Sequence, residues 1–148
     1  MGGDCECHQS ERLLYETLSG NADAVAAAVD MIHADNTSVL KYNDENSLAC
    51  VLTIAYYTAK RKYKMIRELP SGKGFADIVL LPRPTFNQPA IVLELKYDHS
   101  AETAIAQIRH HRYGDALQDY IGDIVLVGIN YDKKTKQHDC LIEMINKV

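Results

Sequence analysis

Three charged residues stand inside two apolar runs of this chain. The stretch Ala90 to Tyr97, AIVLELKY, reads as a strand, yet it carries Glu94 and Lys96 two positions apart. Sixteen residues separate Glu94 from Asp77, the one charge within GFADIVLLP. Residues two apart on a strand share a face, so Glu94 and Lys96 project together beside Val92, while Leu93 and Leu95 fill the other side. Burying such charges costs several kcal/mol per ion unless a partner or a metal compensates. An ion pair at the exposed end of a strand is one way out. The second acid points to another: if the two strands pair, Asp77 comes near Glu94, and two adjacent carboxylates repel. A divalent cation removes that conflict, because Mg²⁺ takes hard oxygen ligands and keeps several waters. An ammonium beside it can orient a water and neutralise developing charge. These parts suit hydrolysis of a phosphodiester.

The elements that must position these residues follow from periodicity. Ser10 can cap a helix carrying Leu13, Leu14 and Leu18 and ending at Gly20. Asn21 can cap a second, with Ala24, Val25, Ala28, Val29 and Ile32 on one stripe. Asp35 to Asn43 is polar and reads as a loop. A third helix is expected from Glu45 to about Lys60, with Leu48, Val51, Leu52, Ala55, Tyr56 and Ala59 inward. The period then shortens. Strands are expected at Tyr63 to Leu69, Phe75 to Leu81 and Ala90 to Tyr97, with a turn at Pro70-Ser71-Gly72 between the first two. Ser100 caps a helix to about Tyr120, with Ala104, Ile105 and Ile108 inward. Asp123 to Asn130, DIVLVGIN, is apolar on both faces, as a covered central strand would be. Tyr131 to Gln137 reads as a turn and Cys140 to Ile145 as the last strand. The order is ααα-βββ-α-ββ: a single α/β domain over residues 10–148, with a central mixed sheet flanked by helices, behind a flexible tail at residues 1–9.

Composition sets bounds. The chain has 148 residues, 47% of them hydrophobic, enough for one sizeable core. Its net charge of −4 argues against wholesale attraction to polyanions. Cations do cluster locally, at Lys60, Arg61, Lys62, Lys64 and Arg67, at Arg109 to Arg112, and at Lys133, Lys134 and Lys136. Each cluster is either a solvated face or a groove for phosphates. No apolar run is long enough to span a bilayer and the N-terminus has no signal-peptide core, so a cytoplasmic location with reduced cysteines is expected and no membrane partner. Cys50 and Cys140 read as core residues. The Cys5-x-Cys7-His8 run is too tight for a zinc knuckle and reads as tail.

Asp77, sixteen residues, then Glu94-Leu95-Lys96 resembles the D-X(n)-E-X-K signature of the PD-(D/E)XK nuclease superfamily. The segments ELPSGKGFADIVLLP, PAIVLELKY, AETAIAQIRHHRYGDAL and DIVLVGINYDKKTKQHDCLIE resemble its bacterial branch often found C-terminal to an AAA-type ATPase-like domain, from about Ser10 onward. Ala76 replaces the signature proline, a position that supplies no ligand. The resemblance implies a restriction-endonuclease-like core and a Mg²⁺- or Mn²⁺-dependent nuclease, with DNA the favoured substrate. It implies Asp77 and Glu94 as metal ligands, the Leu95 carbonyl as an extra one, Glu45 touching the metal directly or through water, and Lys96 positioning the attacking water. Gln107 matches a helix position that often points at the site, and Tyr113 matches the branch's Q-x(5)-Y pattern. Packing within their helix is an equal reading for both. Lys73, in a turn that lacks the frame of a phosphate loop, can touch a nucleic-acid backbone, and His111, four after Gln107, can face the same cleft or lie on the surface. Glu68 reads as exposed. A homodimer and an AAA-type ATPase-like domain are the protein partners the resemblance admits. The alternative function is a catalytically weak docking module for nucleic acid or protein, regulating an ATPase partner.

Overall fold

The structure, a computed structural model, describes residues 11–35, 52, 53, 55–68, 76–110, 120 and 122–145. Within them lie three α-helices and five strands. Helix α1 covers residues 11–18 and α2 covers Ala22–Asp35. A 3-10 helix, Tyr57–Arg61, leads into β1 (Tyr63–Glu68), β2 (Ala76–Pro82) and β3 (Ala90–Tyr97). Helix α3 (Ala101–His110) crosses to β4 (Ile124–Asp132), and β5 (Gln137–Ile145) closes the chain. The strands lie side by side in sequence order, antiparallel except for β3 and β4. That parallel pair needs a crossover, which α3 provides. The fold is α/β with a five-stranded mixed sheet, consistent with a restriction-endonuclease-like core.

The sheet separates two apolar layers. On one face Ile78, Leu80, Ile91, Leu93, Leu95, Val125, Val127 and Ile129 pack under α1, α2 and the 3-10 helix, through Leu13, Leu14, Val25, Val29 and Ile32. On the other, Val79, Ala90, Val92, Ile124 and Leu126 meet Ile105 and Ile108 of α3. β3 is buried on both faces until its last residue, which is why its aliphatic run does not alternate with polar residues.

The helix ends follow their local chemistry. Asn21 Oδ1 accepts from Ala24 N at 3.3 Å and starts α2. Gly20, at φ 78°, ends α1 in the left-handed region that glycine adopts without strain. Ser100 Oγ accepts from Thr103 N at 3.0 Å and starts α3.

Two expectations need correction. The third helix does not stay α-helical to Lys60. Ala59 N bonds Tyr56 O at 2.9 Å and Lys62 N bonds Ala59 O at 3.0 Å, the tighter i to i+3 pattern. This winding buries Tyr56 and Ala59, and the Tyr56 hydroxyl pairs with Thr17 Oγ1 at 2.8 Å across to α1. The rest of that helix, including Glu45 and Cys50, lies outside the described residues. The β4–β5 hairpin is also tighter than expected. Tyr131 and Asp132 still pair with His138 and Gln137, leaving a turn of four residues. Elsewhere β1 is described as far as Glu68 and β2 over Ala76–Pro82, the expected Leu69 and Phe75 lying outside the described residues, and β3 keeps its expected limits. Past His110 the helix expected to reach Tyr120 lies outside the described residues, as do Cys5, Cys7 and His8.

Candidate active site

Sheet register decides which charges meet. Asp77 is the direct antiparallel partner of Glu94, and Glu94 pairs in parallel with Gly128. Residues paired in this way stand on one face of the pleat. Two positions on, Lys96 pairs with Asn130 on that same face. The row therefore sets positions 77 and 94 side by side, with Lys96 next to them toward the strand's end. The side chain of Asp77 lies outside the described set, so its placement rests on the backbone.

The described members are deeply enclosed. Glu94 is 1% exposed, Lys96 3% and Asn130 2%. Leu95 points into the opposite apolar layer. Gly128 explains how a helix can close over this row. A Cβ at that position would lie 2.6 Å from Ala101 O and 2.9 Å from Ile105 Cγ1, so only glycine lets α3 sit this low on the sheet. Gln107, on the flank of α3, is partly buried.

Glu94 Oε1 is buried and has no hydrogen-bond partner among the described residues, the one side-chain atom there in this condition. Buried carboxylate oxygens are normally satisfied, and one that is not needs an explanation. An oxygen-seeking divalent ion is one that the row fits, since a second carboxylate residue is its register neighbour. Among the described residues no group of three or more His, Cys, Asp or Glu side chains is set to hold a metal. The side chains of Asp77 and Glu45 lie outside the described residues.

Asn130 is a residue that sequence reading passed over as the end of an apolar strand. Its Oδ1 accepts from His99 N at 2.9 Å. Asp98 N bonds Tyr131 O at 2.8 Å, and Asp98 Oδ1 accepts from Lys133 N at 2.9 Å. These bonds tie down the turn that leaves β3 just after Lys96, where Asp98 takes φ 56°. They also fix the start of α3, and with it the backbone that carries Gln107.

A second buried polar cluster was not anticipated. His138 N and Nδ1 both donate to Asp30 Oδ1 on α2, at 2.8 and 2.5 Å, across 108 residues of chain. The His33 ring stands edge-on to Tyr131 and His138, at 5.3 and 5.6 Å between centroids. Burial lowers the His138 pKa from its ordinary value, against the smaller raising pull of the hydrogen bond and charge of Asp30. Burial, then repulsion from His138, also lowers His33. The Cys140 thiol, expected in the core, is partly buried and packs against it, and its pKa is pushed up to about 12 by desolvation.

The other expected site residues, Glu45, Lys73, His111 and Tyr113, lie outside the described residues, as does the side chain of Glu68. No helix among the described residues is long and apolar enough to cross a membrane.

No curated protein matches the chain. A model of the PD-(D/E)XK nuclease superfamily matches residues 43–140, a span that holds both paired acids, the E-x-K tripeptide and the crossover helix. Members of that superfamily are usually hydrolytic nucleases and typically use divalent metals. The chain belongs to the PD-(D/E)XK nuclease superfamily.

Proposed function

We propose that this chain is a divalent-metal-dependent nuclease that hydrolyses DNA phosphodiester bonds. The observation that carries the reading is the buried, unpartnered Oε1 of Glu94 in register with Asp77. Asp77 and Glu94 would hold Mg²⁺ or Mn²⁺, with Glu45 and the Leu95 carbonyl as further contacts. A bound dication of this kind supplies Lewis-acid polarisation of a phosphoryl oxygen. The chain's own residues do the rest. Lys96 Nζ, on the face of Glu94, orients the attacking water by donating to its oxygen and offsets the negative charge that grows on the phosphoryl oxygens. The water oxygen bonds to phosphorus and gives up a proton to solvent, as the bond to the leaving deoxyribose oxygen breaks and that oxygen takes a proton from solvent. Gln107, Tyr113, His111 and Lys73 would position the substrate. Burial under α3 keeps bulk water from competing with these contacts, and the bond from His99 N to Asn130 Oδ1 holds the turn that follows Lys96.

Cleavage of single- and double-stranded DNA and RNA, with Mg²⁺ or Mn²⁺, by the wild type and by Lys96→Ala tests the reading. Metal-dependent cutting by the wild type should fall at least about a hundredfold in the variant, the scale of losing a transition-state charge partner, with the fold intact. Equal cutting by both proteins overturns the assignment of Lys96 and marks a contaminant. Cutting by neither overturns the nuclease reading in favour of a docking module.

A further inference from the structure

The cation-rich segment before β1 is not used by the site just described. Lys60, Arg61, Lys62 and Lys64 are all exposed, and Arg83, distant in sequence, joins them. The joining is built: Arg83 Nε and Nη2 both donate to Lys60 O, at 3.2 and 3.0 Å, and Arg83 N donates to Lys62 O at 2.9 Å. Two aromatic rings are interleaved. Lys60 Nζ lies 5.6 Å from the centre of the Tyr57 ring, which is 62% exposed, and Lys62 Nζ lies 5.2 Å from that of Phe86. Residues 55–66 and 81–90 contain no Asp or Glu. The ion pairs among the described residues are elsewhere, at Arg12–Glu16, Arg109–Glu143, Lys133–Asp98 and Asp30–His138. In a chain of net charge −4, five cations gathered without a counter-charge among the described residues are an asymmetric field.

Their place relative to the acidic row gives the field a direction. β1 is an edge strand, and Glu68 at its far end pairs with Asp77. Lys64 stands on the same face as Ile66, which packs in the α3-side layer, and so on the face of position 68. Four residues of strand at about 3.4 Å each put Lys64 roughly 14 Å from that row. One strand of a duplex rises about 3.4 Å per nucleotide, so the interval spans about four base pairs.

We propose that Lys60, Lys62, Lys64 and Arg83 form a phosphate-backbone track for duplex nucleic acid, reaching it about four base pairs from the bond placed at the acidic row. Tyr57 gives the track an exposed ring for sugar or base contact. The choice of partner rests on the nuclease reading, but the track is tested by binding alone.

The parent protein is the full chain carrying Lys96→Ala, in EDTA, so that nothing is cut. Binding to a fluorescein-labelled DNA duplex of about 20 base pairs is followed by anisotropy from about 50 to 200 mM salt. Replacing Lys60, Lys62 and Lys64 together by Glu should weaken binding at least tenfold. It should also lower the slope of log affinity against log salt by about 2 to 3, at roughly 0.9 per phosphate contact. The triple Lys→Arg variant should bind as the parent does. If the Glu triple melts early, Lys62→Glu alone should lower the slope by about one. An unchanged slope and affinity in the Glu variants overturns the proposal. So does a parent that ignores the duplex, or one that binds phosphatidylserine vesicles in its place. A protein that binds through the track but never cuts sinks the hydrolytic reading and leaves the track standing. A protein that cuts while the track variants bind normally does the reverse.

Discussion

The two faces of β3 and β4 each bury polar groups at the same end of the sheet, and they treat them differently. On the face under α2, Asp30 and His138 satisfy each other, and His33 and Tyr131 pack their rings around the pair. On the face under α3, Glu94 is as deeply buried as His138 but keeps an oxygen without a partner among the described residues. The first arrangement joins α2 to the edge strand β5 and needs nothing more. The second is a cost that packing alone does not repay. One strand thus serves stability through its odd-numbered residues and, on the proposed reading, chemistry through its even-numbered ones, and alternation lets the two be altered separately.

The largest effect should come from the apolar face. Leu93→Ala removes a fully buried side chain between the sheet and its helices and should destabilise by about 2–5 kcal/mol. Its neighbour on the other face should behave in the opposite way. Glu94→Gln neutralises a carboxylate with an unsatisfied oxygen, so thermal melting of the metal-free protein should be unchanged or raised. A loss as large as that of Leu93→Ala would erase the distinction between the faces.

Acid sharpens the comparison from the side of the histidines. Both His33 and His138 have pKa values lowered on folding, chiefly by burial. The unfolded chain therefore binds more protons, and stability is fully present above the ordinary histidine value of 6.5 and declines as pH falls below it. Melting temperatures measured downward from pH 7 should fall, and His138→Gln should flatten the fall. The surrounding Asp30 and Asp139 carboxylates oppose the shift of His138 without cancelling it. A wild-type curve level through this range would contradict the assignment.

The smallest effect belongs to Arg109 and Glu143, which meet between α3 and β5 with both side chains about half exposed. Exposed pairs contribute little, so Glu143→Gln should change stability by about 0.5 kcal/mol or less.

Much of this was legible in the residues. The aliphatic run around Glu94 and Lys96 reads as a strand, and both its limits and its facing pattern hold. The pairing of β2 with β3 was the condition for bringing Asp77 to Glu94, and the register meets it. What stayed hidden depends on contacts distant in sequence. Tyr131, Asp132 and Gln137 read as turn residues because they are polar, and His138 fell short of the strand expected from Cys140. They become strand because α2, 108 residues earlier, offers His138 an acid. Asn130 looked like the tail of an apolar run, since its work is done on a backbone amide 31 positions away. The tight winding after Tyr56 answers to Thr17 on another helix. No local pattern encodes any of these.

Mn²⁺ binding by calorimetry, with no nucleic acid present, tests the central claim most directly, comparing the wild type with Glu94→Gln. A site built on the orphaned oxygen should bind the ion in the wild type and lose at least about tenfold in affinity in the variant, about 1.4 kcal/mol, while the variant melts no earlier without metal. Equal affinity in the two proteins would show that Glu94 holds no metal and that its unpartnered oxygen has another cause.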